Sequence, residues 1–333
     1  MKKTLLMMTF SALAAGCADN SIPQAQLPEL DRSNPLLAEW TTPHETAPFS
    51  TIELAHYEPA FDAAIACSRA EIDAIVNNPK KPSFVNTIVA LERQGELLGR
   101  VSGLFFNILE ADATDEMQEI AQRVQPKLTQ LSNDISLNPE LFARVKAVYE
   151  HPGWCLSSED KKLLEDTYKS FARSGAALSE ADKELYRQYT TELSALTLQF
   201  GQNSLAATNA FTLNIIDPAR VAELPTFVKE TLAADAKARG QKGWTVTLQA
   251  PSYIPFLTYS SDRALKEQLW RASNSRALGG AYDNTEVIRK IVDTRLKIAN
   301  LLGYKNYADY VLENRMAENT PTVQNFLQEL LTA

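Results

Sequence analysis

Hydrolytic or metal chemistry needs histidine, cysteine or carboxylate side chains at ligand spacing, and this chain is sparing with the first two. Among 333 residues there are three histidines, His44, His56 and His151, and three cysteines, Cys17, Cys67 and Cys155. No histidine has another four residues away, so the helical HExxH face that grips zinc cannot be assembled from them. His56 with Glu58 sets two ligand types close together, but an isolated pair makes no four-coordinate site, and a structural histidine at a helix start is the plainer reading. His44, flanked by Pro43 and Glu45, and His151, beside Pro152 and Gly153, read as loop and turn residues. GxGxxG, GxxxxGK[ST] and GxSxG are all absent, and Gly201-Gln202-Asn203-Ser204-Leu205 lacks the closing glycine of a nucleophile elbow. Acidic residues outnumber basic ones, 41 to 33, for a net charge of −8, which argues against a phosphate-tracking surface and so against nucleic acid as a partner.

Aromatic residues offer a second kind of candidate. Tyr253, Phe256 and Tyr259, set around Pro251 and Pro255, could line a peptide channel, with core packing and loop anchoring as the alternative. The elements around them are readable. Trp244, Val246 and Leu248 alternate with Thr245, Thr247 and Gln249, the period-two pattern of a half-buried strand closed by Pro251, and the only clear strand in the chain. Asp262 offers an N-cap for a helix through Leu265, Leu269 and Ala272. Asn284 opens another, whose apolar positions are Val287, Ile288, Ile291, Val292, Leu296, Ile298, Ala299 and Leu302, with Gly303 as its C-cap. Arg295 falls inside that apolar arc, so burial and a partner are expected for it; a substrate carboxylate is the functional alternative to a structural ion pair.

Nearly everything else from Tyr57 to Tyr310 reads as helix. Phe84, Ile88 and Leu91 begin one that continues through Leu97, Leu98, Val101, Leu104 and Phe105. Met117 to Ile135 form a second, which Pro126 should kink. Leu141, Val145 and Val148 mark a third. Ser157 or Ser158 caps the helix through Leu163, Leu164, Tyr168 and Phe171, and Ser179 with Asp182 starts the long one through Leu185 to Phe200. With 45% apolar residues the chain can build a large core. The expected architecture is mainly α: a large, irregular helical assembly with one minor β element and no short repeat.

Both ends carry expectations of their own. Met1-Lys2-Lys3, the short apolar run to Leu13 and the small residues before Cys17 read as an export signal over residues 1–16, too short for a bilayer span. Ala-Ala-Gly-Cys is similar to a bacterial lipobox, with leucine commoner where Ala14 stands; Cys17 would be lipidated, holding the protein on a membrane of a bacterial envelope or in the periplasm. Cleavage near Ala12-Leu13-Ala14 by an ordinary signal peptidase is the rival. Residues 17–48 read as a tether and irregular lead-in, and 49–333 as the helical body. Cys67 and Cys155 are no disulfide framework; a single bridge is permitted, and separate buried thiols are the simpler reading. At the other end, Val323, Phe326, Leu327, Leu330 and Leu331 form an apolar stripe after Thr320-Pro321, an N-cap and first-turn pair, and the stripe is expected to need a packing partner.

Specific wording adds a family. Pro251-Ser252-Tyr253, Pro255-Phe256-Leu257-Thr258-Tyr259-Ser260, Leu265-Lys266-Glu267-Gln268-Leu269-Trp270, Arg276, Asp283-Asn284, Arg295 with Ala299, Leu301-Leu302-Gly303-Tyr304 and Met316-Ala317 resemble the peptidyl-dipeptidase Dcp branch of the thimet oligopeptidase family of zinc metallopeptidases, and the likeness extends back to His56-Tyr57-Glu58-Pro59-Ala60-Phe61. The resemblance implies the helical wall of a deep, narrow channel in a neurolysin/Dcp-like zincin fold. It also implies short peptides as substrates, C-terminal dipeptides as products, zinc as Lewis acid and the HExxH glutamate as general base. That motif would follow Ala333, in a missing C-terminal catalytic half. This chain alone is therefore expected to bind no catalytic zinc and to be inactive. The alternative is a non-catalytic helical lipoprotein that binds peptides or a protein partner.

Overall fold

The computed structural model describes residues 21–153 and 156–332. The expectations for the export signal, the Cys17 lipid and any Cys67–Cys155 bridge rest on residues outside that set. Two compact units emerge, one from residues up to Thr191 together with those from Ile298 onward, the other from Glu192 to Lys297. Both divisions fall inside helices.

In the first unit α1 (Tyr57–Val76) lies against two later helices, α3 (Glu96–Ala111) and α4 (Asp115–Ser136). Tyr57, Phe61, Phe105 and Phe106 meet edge to face at 5.0 to 6.3 Å, the geometry that ring quadrupoles prefer. Glu58 and Asp62 on α1 pair with Arg123 and Lys127 on α4 along the exposed seam. Pro126 sits inside α4 without ending it. A second apolar cluster joins Ile72 and Ile75 of α1 to Leu141, Val145 and Val148 of α5 (Pro139–Glu150) and to Leu164 and Phe171 of α6 (Ser158–Arg173). Ser157, not Ser158, caps α6: its Oγ accepts from the Asp160 N–H at 3.0 Å, and the Asp160 carboxylate accepts from the Ser157 N–H. Ser179 likewise accepts from the Asp182 N–H at 3.2 Å ahead of α7 (Glu180–Ala210), which outlasts its last apolar marker, Phe200, by ten residues that are polar or small apart from Leu205.

The expected single helix from Phe84 to Phe105 is broken. Phe84–Val89 form a π-helix, α2 (Ala90–Arg93) follows, and the chain turns at Gly95, φ +74°, before α3. The cause is tertiary: the Gly95 N–H donates to Glu71 of α1 at 2.7 Å, and the Ser68 hydroxyl donates to Gln94 at 2.9 Å, so two bonds to a neighbouring helix replace continuation of the ladder. The described part of the lead-in, from Ser21, is packed. Leu36 and Leu37 are buried, and Arg100 of α3 donates to the Leu36 and Ala38 carbonyls while stacking 4.8 Å from the Trp40 ring.

The second unit holds the sheet, and here the count of strands is corrected. β1 (Thr212–Ile215) pairs antiparallel with β2 (Trp244–Thr247), Leu213 opposite Val246 and Ile215 opposite Trp244. β1 is four residues long and follows directly on α7, too short to show its period. β2 is not half-buried either: Thr245, Val246 and Thr247 are all buried, because α8 (Thr226–Ala238) covers one face and the side chains on the other are enclosed by polar contacts such as Thr245 to Gln241. Pro251 does not open a loop. Residues 250–259 form α9 with Pro251 in its first turn, where a missing N–H costs nothing, and Pro255 inside it at the loss of one ladder bond. Asp262 caps α10 (Arg263–Asn274) through the Leu265 N–H as expected.

Asn284 opens α11 (Thr285–Leu301) as expected, its carbonyl accepting from the Ile288 N–H, but its buried side chain donates to the Phe200 carbonyl and the Ser204 hydroxyl. The side-chain bond to the first turn comes from Asp283, whose Oδ1 accepts from the Thr285 N–H. The predicted apolar arc of α11 splits. Val287 and Ile291 pack with Leu193 and Leu196, whereas Ile288, Val292 and Leu296 are exposed. Beyond it, in the first unit, come α12 (Tyr307–Leu312) and α13 (Thr320–Thr332). Asn319, not Thr320, accepts from the Thr322 N–H at the start of α13, since the Thr320 hydroxyl is turned to Asp309.

Burial also sets one pH response. Tyr186 on α7 is 8% exposed, and desolvation, helped by Tyr310 and Tyr307, pushes its phenol up to about 12 from an ordinary 10.0. The folded state holds this proton more tightly than the unfolded chain does. Its contribution is therefore intact below pH 10 and is lost as pH rises through 12. Stability of the first unit should fall by about 2–3 kcal/mol over that window. Urea titrations at pH 8 and pH 12 measure this, and Tyr186→Phe should flatten the difference.

Candidate functional site

None of the histidines stands as a free ligand pair. The His56 Nδ1 accepts the Glu53 N–H at 2.9 Å, which puts its ring proton on Nε2 and uses Nδ1 to start the helix. Glu58, its proposed companion, is committed to Arg123 at 2.9 Å and to Lys127. His44 lies in a one-turn 3-10 segment at φ +59°, and His151 ends α5. Among the described residues no three histidine, cysteine or carboxylate groups converge as a metal set, so these side chains do not fit a catalytic zinc. Cys67 is buried in α1, and burial, with Glu71 beside it, raises its thiol above the usual range, the reverse of what a nucleophile needs.

The aromatic trio separates. Phe256 is fully buried, in the core between the sheet and α8 with Val246, Leu232 and Leu269, so it faces no channel; α9 turns it inward because it lies four residues after Ser252, whose hydroxyl is itself buried against the Thr247 N–H. Tyr253 is half-buried against the same core. Tyr259, at the end of α9, is 47% exposed and meets a residue that sequence reading passed over: Phe227 of α8, 57% exposed, with ring centroids 6.0 Å apart and planes at 89°. Phe227 had a signal. It lies outside the Val228, Leu232, Ala236 stripe that faces the core, and a phenylalanine off the buried face of a helix is a candidate contact residue. Ile254 is exposed on the same helix as Tyr259.

Arg295 is half-buried, its Nε shielded from solvent, and it is engaged by surrounding groups. Arg276 has a defined structural duty, donating to the Thr208 hydroxyl at 2.9 Å.

With this geometry in place, comparison with known proteins defines the class. A model described as Peptidase family M3 matches residues 256–333. Dipeptidyl carboxypeptidase of Escherichia coli K12 is 38% identical over 306 residues, and its counterpart in Salmonella typhimurium LT2 is 36% identical over 302; each match takes in 90% of this chain and 44% of the relative. Oligopeptidase A of Salmonella typhimurium LT2 is 31% identical over 304 residues, again 44% of its length. The chain belongs to peptidase family M3, the thimet oligopeptidase family of zinc metallopeptidases, and within it resembles the dipeptidyl carboxypeptidase branch. It spans less than half the length of these relatives.

Proposed function

We propose that this chain is the helical, non-metal-bearing portion of an exported zinc metallopeptidase that removes dipeptides from the C-termini of short peptides. The observation that carries the reading is the 38% identity with a dipeptidyl carboxypeptidase, sustained through 90% of the chain and higher than the 31% with an oligopeptidase A. Zinc and the catalytic base are assigned to residues after Ala333, and the chain by itself is expected to cleave nothing. The apolar face of α13 supports this division. Phe326, Leu327, Leu330 and Leu331 are all exposed, a stripe that in water favours a covering partner, and the catalytic half is the partner proposed. Tyr259 with Phe227 is the surface proposed to meet peptide side chains. Export, and a lipid on Cys17, are supported by the basic start, the short apolar run and the Ala-Ala-Gly-Cys sequence.

Intact mass and zinc content of the protein purified from its source test the reading together. A species about twice the mass of this chain, carrying about one zinc, is expected. A lipidated, metal-free species near the mass of residues 17–333 would overturn it in favour of a helical lipoprotein that binds peptides without chemistry.

A further inference from the structure

From Leu301 to Thr332 no residue is buried, and neither α12 nor α13 contributes to a core. Such an arm is held by half-buried side chains alone, Leu302, Tyr304, Tyr307, Tyr310 and Leu312 among them, yet it has a defined place in the first unit. Several of the arm's polar contacts converge on one side chain, Arg173 at the end of α6. Its Nη1 donates to the Tyr304 hydroxyl at 3.1 Å and pairs with the Glu313 carboxylate; its Nη2 donates to the Tyr310 carbonyl. The guanidinium also stands 4.8 Å from the Tyr310 ring and 5.6 Å from the Tyr304 ring. The Tyr304 hydroxyl donates to Glu313 at 2.5 Å, and the Tyr304 and Tyr310 rings meet edge to face at 5.2 Å, closing the group on itself. Although Arg173 lies at the protein surface, its side chain is only 14% exposed, because the arm covers it.

We propose that Arg173 is a clasp: this one guanidinium decides whether the segment from Leu302 to Thr332 lies on α6 and α7 or swings free, and it thereby positions α13. That the positioned face receives the catalytic half rests on the reading above; the clasp does not. Arginine suits the task because its planar fork serves a hydroxyl, a carboxylate and a carbonyl at once while its faces stack on tyrosine, which a lysine ammonium cannot do. Release should be visible as fraying, since a helix as short as α13 is marginal in water once it loses its support.

Amide hydrogen exchange on this chain tests the proposal, comparing wild type with Arg173→Met, Arg173→Lys and Arg144→Met. In Arg173→Met the amides of 302–332 are expected to exchange at least about tenfold faster, with residues 57–150 and 212–274 unchanged. Arg173→Lys, which keeps the pairing with Glu313 and loses the fork, should fall between the two. Arg144→Met, which weakens the body of the same unit, should leave the arm's own excess exchange at its wild-type level. Unchanged protection of 302–332 in Arg173→Met would overturn the clasp, as would a loss of protection spread evenly over the whole unit. Neither result bears on the zinc and mass measurement, so the two readings fail separately.

Discussion

Arg144→Met is expected to lower the stability of the first unit by about 3 kcal/mol, read as a fall in Tm of roughly 6–12 °C or in the urea midpoint. Arg144 is buried on α5, and neutral oxygens are its hydrogen-bond partners. One Nη donates to the Asn78 carbonyl at 2.9 Å, both reach the Lys80 carbonyl at 3.4 Å, and one donates to the Asn86 side-chain oxygen at 3.3 Å. Burial lowers its affinity for the proton, as it does for any cation without a counter-charge. What offsets that cost is position. The guanidinium stands at the C-terminal end of α1, where the helix dipole presents partial negative charge, and it ties three oxygens of the turn and the π-helix to α5. Methionine matches the length and apolar stem but leaves those acceptors to one another, at roughly 1–3 kcal/mol for each that water cannot reach. Arg144→Lys, keeping charge but not the fork, should lose less. A methionine variant that melts with wild type would show that solvent already serves these carbonyls.

Gly243→Ala should cost the second unit about 3–4 kcal/mol and unpair the sheet. Gly243 adopts φ +80°, and a Cβ placed there would lie 2.2 Å from the Ile215 carbonyl oxygen. Both halves of the penalty are backbone: the left-handed conformation costs an L-residue about 1–2 kcal/mol, and the contact is with the strand that β2 must pair. Relief requires Ile215 and Trp244 to separate, and with them the floor on which α8 and Phe256 pack. Loss of exchange protection at 212–215 and 244–247 would confirm the route. If alanine leaves both strands protected, the turn has room that this geometry denies. Gly303, at φ +86° with nothing near its missing Cβ, should tolerate alanine better, at the conformational cost alone.

Local signals carried much of the fold. Ser157, Ser179 and Asp262 begin their helices where their spacing to the first turn says they should, because a cap is made between residues three apart in the chain. The same locality explains the failures. Asn284 starts α11, yet its side chain is drawn away to Phe200, some eighty residues distant, and Asp283 supplies the side-chain acceptor beside it. The period from Phe84 to Phe105 is helical throughout, yet bonds from Glu71 and Ser68 break it at Gly95. On α11 the period marked Ile288, Val292 and Leu296 as buried with Val287, Ile291, Ile298 and Ala299, and the structure buries the last four and leaves the first three exposed.

For the candidate site the division is similar. By itself the sequence determined the mainly helical class, the missing HExxH spacing and, through wording spread along the chain, the family, since each depends on residue identity and short-range order. Only the tertiary structure decided that Phe256 is core while Tyr259 meets Phe227 at the surface, that β1 exists to pair β2, and that Arg173 reaches Tyr304 across 131 residues to hold the arm. Those outcomes depend on which surfaces the folded chain brings together, and a contact between distant residues leaves no period or spacing in the sequence from which it could be read.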